Sequence, residues 1–190
     1  MRAALLLLLA LAAPAAAGAG STPAGQRRGA KAPRTVREFF NLLPQEYFTL
    51  EGCAPEGDRN CARARTEYLK TFLEVEDAAN GYMKGGCDGA QSCFEMALFK
   101  RPEGTYVVGL TTSHEVSEQS YFLEYAGGAW RDVGARVVPA YGEDKVYKLP
   151  RYGTTVEVYE NIMVPNEGYR ERGRKLYDLA WKGGKFITAK

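Results

Sequence analysis

The chain has 190 residues, with 25 Lys+Arg against 23 Asp+Glu, one His and a formal net charge of +2. That length suits one domain. Near-neutrality gives no argument for nucleic acid or an acidic substrate as partner, and a single His excludes a His-rich metal site.

The N-terminus carries one positive charge, Arg2, then an apolar run from Leu5 through Leu11 to Ala13 that Pro14 breaks. Small residues follow, with an A-x-A pattern at Ala15–Ala17 or Ala17–Ala19. This three-part arrangement reads as a cleavable signal peptide over residues 1–19. The apolar run is shorter than the about 20 residues a bilayer needs, which argues against the alternative of a retained anchor. Residues 20–34 are Gly, Ala, Pro and basic side chains, and read as a flexible leader. Residues 35–190 form the expected single domain, with no membrane span after signal removal.

Thr35-Val36-Arg37-Glu38 is a capping box, and Phe39, Phe40, Leu42 and Leu43 continue it as a short helix that Pro44 stops. Tyr47, Phe48 and Leu50 read as an extended stretch. A second helix is expected from Asn60 to Leu73, with Ala64, Tyr68, Phe72, Leu69 and Leu73 inside and Arg59, Arg63, Arg65, Glu67 and Lys70 outside.

Four cysteines stand at 53, 61, 87 and 93. An exported chain meets an oxidising compartment, so disulfides are the default. Three pairings are open; the spacing favours Cys53–Cys61 and Cys87–Cys93. A zinc site lacks its tight knuckles here.

From Glu74 onward the period becomes two. Asp77 to Gly81 is a turn between Val75 and Tyr82, and 85–89 is a loop. Strand pairs are expected at Phe94–Lys100 with Thr105–Thr111, and Tyr121–Tyr125 with Ala129–Val133. Val146–Leu149 with Thr155–Tyr159, and Lys175–Trp181 with Lys185–Thr188, follow the same pattern. Two hairpins resemble each other at a fixed offset: Tyr121, Leu123, Tyr125, Gly127-Gly128 and Trp130 match Tyr177, Leu179, Trp181, Gly183-Gly184 and Phe186. Aromatic pairs across a tight turn account for this as hairpin chemistry, ahead of duplication. The fold class expected is α+β: two short N-terminal helices, then an antiparallel β-meander of about eight strands packed on the helices or on a second sheet.

No catalytic or cofactor motif is found, so no catalytic residue, cofactor or metal ligand is assigned. Ser113-His114-Glu115 reads as a solvated hairpin loop, since neighbours in sequence do not make a triad. Gly85-Gly86 with Gly89 does not open a helix, so it lacks the usual phosphate anchor. Glu95, Glu124, Glu157, Asp132 and Asp178 fall on strands; alternation sends Glu95 and Glu124 to a solvent face, and Glu74 and Glu76 likewise. Tyr169 to Lys175 is the most basic segment outside the leader and reads as a solvated loop.

Phe94 to Arg101 with Gly104-Thr105-Tyr106-Val107-Val108, and Leu149 to Thr155, resemble stretches of uncharacterised exported bacterial proteins. The resemblance covers roughly residues 35–160 and implies export without any assigned activity. The helix–helix–four-strand order is also loosely similar to the repeat of secreted β-lactamase-inhibitor proteins, in topology alone.

Absent chemistry leaves binding. The expectation is a secreted or periplasmic non-catalytic binding module of the cell envelope, whose ligand is an envelope protein or a cell-wall component. Tyr125, Trp130, Tyr152 and Trp181, at hairpin tips, are the contact candidates, with cross-strand packing pairs the stronger reading for most of them. The alternatives are a periplasmic hydrolase using two carboxylates on cell-wall glycan, and a purely structural envelope protein.

Overall fold

The computed structural model describes residues 32–50, 53, 58–86, 93–114 and 117–189. The signal peptide, most of the leader, and Cys87 lie outside the described residues.

Helix α1 (Val36–Leu42) starts where the capping box places it: Thr35 Oγ1 accepts from the Glu38 N–H at 3.2 Å, and the Glu38 carboxylate accepts from the Thr35 N–H at 3.0 Å. Its other end is closed by Arg65, which donates to the carbonyls of Asn41 (2.7 Å) and Leu43. Arg65 is therefore only 4% exposed, although the sequence assigns it to the outer face of α2 (Asp58–Phe72). The correction has a simple cause: the last carbonyls of a helix lack partners and attract a cation. Tyr47 and Phe48 lie in a hydrogen-bonded turn rather than an extended stretch, with Phe48 N–H donating back to Pro44 C=O at 3.4 Å.

Among the described residues ten strands follow: β1 (Leu73–Asp77), β2 (Tyr82–Gly85), β3 (Cys93–Lys100), β4 (Tyr106–His114), β5 (Ser117–Ala126), β6 (Ala129–Asp132), β7 (Lys145–Lys148), β8 (Thr155–Met163), β9 (Arg170–Lys182) and β10 (Lys185–Thr188). A one-turn helix, α3 (Gly134–Val137), separates β6 from β7. The strands form two antiparallel sheets, a six-stranded one in the order β1 to β6 and a four-stranded one in the order β10-β9-β8-β7. The chain is thus mostly β, with more strands than the single eight-strand meander expected. The two added strands are β1 and β2, on either side of the turn at 77–81, and two stretches read as loops lengthen other strands. Thr111 to His114 continues β4, paired with Ser117 to Ser120. Arg170 to Arg174 belongs to β9, because its charges find acceptors on other strands: Arg172 on Glu118 at 3.0 Å and Arg174 on Glu160 at 2.6 Å.

The middle strands of the six-stranded sheet are buried on both faces, through the alternation of a pleated strand. Phe94, Met96, Val108, Leu110 and Leu123 face Val36, Phe39, Phe40, Leu43, Tyr68 and Leu69 of the helices. Their neighbours Ala97, Phe99, Val107 and Phe122 face Tyr147, Val156, Val158, Leu179 and Phe186 of the second sheet and its approach. Phe40 stacks on Phe94 at 4.7 Å, and Phe99 meets Phe186 edge-on at 4.8 Å. The helical layer, the central sheet and the outer sheet thus share two cores, one on each side of β3, β4 and β5.

Cys53 is bonded to Cys61, tying the segment after α1 to α2. Cys93 is also disulfide-bonded. Among the described residues, no helix is long and apolar enough to cross a membrane.

Candidate functional site

The four hairpin aromatics have unlike surroundings. Tyr125 and Trp130 are register partners across β5 and β6, with ring centroids 5.3 Å apart. The Trp130 indole donates from Nε1 to the carbonyl of Leu42 at 2.7 Å, and its ring meets Phe39. Trp181 pairs with Phe186 across β9 and β10, and donates from Nε1 to the carbonyl of Lys100 at 2.7 Å. Both hairpins turn on a Gly pair at positive φ, 61° and 84° at Gly127-Gly128 and 60° and 92° at Gly183-Gly184, the geometry of a two-residue turn matched to strand twist. Tyr125, Trp130 and Trp181 thus serve internal contacts. Tyr152 stands apart: it is 68% exposed, with the Arg151 guanidinium 5.1 Å from its ring centre.

The strand carboxylates are also redistributed. Glu95 points between the sheets rather than to solvent, accepting from the Tyr82 hydroxyl and from the Leu149 N–H at 3.2 Å. Burial, and then this carboxylate, push the Tyr82 phenol well above its ordinary value. Glu124 bridges Arg101 (2.8 Å) and Arg136 (2.6 Å). Glu74 pairs with Lys84 and Glu76 with Arg37. Glu115 lies outside the described residues, and His114 is the last residue of β4.

Concavities lined by described residues include two of similar size. One, of about 360 Å³, lies over the outer sheet and is lined by Lys148, Arg151, Glu157, Lys175 and Asp178. Its charges neutralise one another: Glu157 takes Lys148 and Lys175, both at 2.9 Å, Asp178 takes Lys175 at 2.8 Å, and Arg151 goes to Asp77 at 3.1 Å.

The other, of about 340 Å³, is more enclosed and opens where the two sheets part. Its lining comes from five separate places: Glu118 to Tyr121 of β5, Asp132 at the end of β6, Tyr141 to Glu143 with Lys145 before and within β7, Asn161 of β8, and Arg170 of β9. Tyr141 is held by Phe122 (6.0 Å) and Tyr147 (5.7 Å), and its hydroxyl donates to the carbonyl of Ser120 at 2.7 Å. Tyr121 packs edge-on against Tyr47 at 5.1 Å. Asp132 accepts from the Gly134 N–H at 2.7 Å, which fixes the entry to α3. Asn161 donates from Nδ2 to the carbonyl of Glu143 at 2.9 Å, so its amide cannot be flipped, and its buried Oδ1 has no partner among the described residues.

Electrostatics in this cleft favours the negative sign. Burial raises the Tyr121 and Tyr141 phenols, and the charges of Asp132 and Glu143 raise both further. Desolvation raises Glu118, against the pull of Arg172. Lys145 is taken by Asp144 at 2.8 Å. Among the described residues no group of His, Cys, Asp and Glu is placed to hold a metal ion. Comparison with family models, curated proteins and solved structures finds no match to the chain.

The sequence reading missed this cleft. Of its members, Asp132 reads as a strand carboxylate, Tyr121 as a hairpin-strand position and Arg170 as part of a solvated basic loop. They are distant in sequence, and no local pattern joins them.

Proposed function

We propose that the protein is an exported, non-catalytic binding module of the cell envelope, and that its ligand site is the cleft between the two sheets. The observation that carries the reading is that the outer concavity is filled by its own ion pairs, whereas the cleft sets the buried Oδ1 of Asn161, unpaired among the described residues, beside the rings of Tyr121 and Tyr141. The Cys53–Cys61 bond supports an oxidising, periplasmic or extracellular location. The ligand is an envelope protein segment or a cell-wall component small enough to enter the cleft.

The test uses the folded chain incubated with a soluble digest of cell envelope, followed by gel filtration and mass spectrometry of whatever is retained. A component recovered chemically unchanged, lost from Tyr121→Ala and kept by Tyr152→Ala, is the expected result. Loss from Tyr152→Ala alone moves the site to the β7–β8 loop and overturns the proposal.

A second reading, a hydrolase of cell-wall glycan, rests on one observation: Glu118, a carboxyl raised by desolvation, shares the cleft with Asp132 and Glu143. Against it stands the 3.0 Å bond of Glu118 to Arg172, which commits that carboxylate to an ion pair. Release of reducing ends from a glycan digest, abolished by Glu118→Gln, is what this reading requires.

A further inference from the structure

One wall of the cleft is a bare strand edge. β6 ends at Asp132, opposite Leu123, and one more rung follows, from the Val133 N–H to the Phe122 carbonyl at 2.8 Å. In an antiparallel strand the N–H and C=O of one residue point to the same side, and that side alternates. Ser120 and Glu118 therefore turn their backbone groups the way Phe122 does, away from β4. Among the described residues no strand of either sheet pairs with β5 there. Among the described residues, the one hydrogen bond made to this edge is that of the Tyr141 hydroxyl to the Ser120 carbonyl. Among the described residues, the N–H of Ser120 and both backbone groups of Glu118 have no partner.

An ordinary exposed edge is blunted by charge or covered. This one is recessed in the cleft, so it admits a thin, extended chain and excludes another sheet. The side chains that share the recess set the chemistry of that chain. Asp132 uses one carboxylate oxygen on the Gly134 N–H. Glu143 offers its carbonyl to Asn161 and keeps its carboxylate without an ion pair among the described residues. The nearby cations are balanced in part: Lys145 pairs with Asp144 and Arg172 with Glu118, whereas Arg170, also in the lining, gives one N–H to the neutral carbonyl of Asn161 at 3.3 Å and keeps its charge, so Asp132 and Glu143 outnumber it two to one. Two carboxylates thus face the recess beside two tyrosine rings, a setting that suits a cation.

We infer that the cleft takes a short extended peptide segment, which hydrogen-bonds Glu118 and Ser120 as an added strand and lays a lysine or arginine side chain against Asp132 and Glu143. The inference rests on the cleft being the binding site, as proposed above, and names its ligand class. Strand addition supplies affinity through the main chain, and the acidic side chains supply selectivity. A cleft of about 340 Å³ holds two or three residues of such a segment.

The test compares four probes on the folded chain: acetyl-Val-Lys-Val-amide, the same peptide with norleucine for lysine, the lysine peptide N-methylated along its backbone, and n-butylammonium. Amide hydrogen exchange and NMR shifts give the readout. The lysine peptide is expected to protect the Glu118 and Ser120 amides from exchange. Norleucine is expected to weaken binding about tenfold, and N-methylation to abolish the protection. Asp132→Asn with Glu143→Gln, in which residue 132 keeps its acceptor for Gly134, removes the preference for lysine. The inference is overturned if the two amides stay unprotected at saturation, or if the double variant keeps the preference. If n-butylammonium shifts Tyr121 and Tyr141 while no peptide binds, the cleft survives as a site and the peptide inference fails. If no probe shifts any residue of the cleft, both fail.

Discussion

The indole N–H of Trp181, near the end of β9, donates to the carbonyl of Lys100 at the end of β3, 2.7 Å away, and so fastens the outer sheet to the central one. The ring completes the joint, with centroids 5.5 Å from Phe99 and 4.8 Å from Phe186. Trp181→Phe removes the hydrogen bond and keeps most of the ring, and is expected to cost about 1 kcal/mol. Trp181→Ala removes both, and is expected to cost about 3 kcal/mol. Urea unfolding followed by the emission of Trp130 measures each. A Phe variant as stable as the parent would show that the bond to Lys100 contributes nothing.

Gly134 is a packing glycine. A Cβ there would lie 2.5 Å from two carbons of the Tyr141 ring. That ring has little room to retreat, since Phe122 and Tyr147 pack against it. Gly134→Ala is expected to cost about 1–3 kcal/mol through overpacking and to break the bond from Tyr141 to Ser120. Near-ultraviolet circular dichroism reads the tyrosine environment, and chemical denaturation reads the stability. An unchanged tyrosine spectrum would contradict the close fit.

The Cys53–Cys61 bond closes a short loop, with a sequence separation of 8. In the chain-entropy account a loop of this size is worth about 2–3 kcal/mol. Replacing both cysteines by serine is expected to lower the thermal midpoint while leaving the sheets folded, because both sulfurs lie outside them. Loss of sheet circular dichroism at room temperature would mean that the helical layer depends on the bond more than its packing suggests.

Glu157, between Lys148 and Lys175, has its carboxyl pulled from the ordinary 4.5 down to about 2 by hydrogen bonds from these two lysines. A carboxyl depressed in the folded state contributes stability that is present above its unfolded value and is lost as pH falls toward the folded one. The window is therefore from about 4.5 down to about 2. Screening at this exposed face keeps the effect small. The urea midpoints of the parent and Glu157→Gln are expected to differ near pH 6 and to converge as that window is crossed. A gap that stays constant with pH would rule out the ion pairs as its source.

Much of the architecture was readable in advance where local chemistry decides it. The capping box fixed the start of α1, and the Gly pairs with flanking aromatics located two hairpins. What could not be read was which face of a strand has a neighbour. Glu95 alternates with Phe94 and Met96, which predicts solvent, yet a second sheet covers that side, and Tyr82 of the neighbouring β2 and Leu149 just after β7 donate to it. Arg172 and Arg174 looked like loop charges because their partners, Glu118 and Glu160, lie 54 and 14 positions away. The aromatics at the hairpins were visible, but their indole partners Leu42 and Lys100 were not, so a fastening role could not be told from a contact role. The cleft is the extreme case, assembled from five segments with no shared pattern.

The middle strands of the central sheet have no outward side. Residues at one end of the sequence shield one of the sheet's faces and residues at the other end shield the opposite one, so synthesis leaves the second face uncovered until the last strands emerge. A product cut short at either terminus would carry a broad greasy plate bordered by open backbone, the form most prone to clump with its neighbours. Completeness of the chain is, for this molecule, a condition of staying apart.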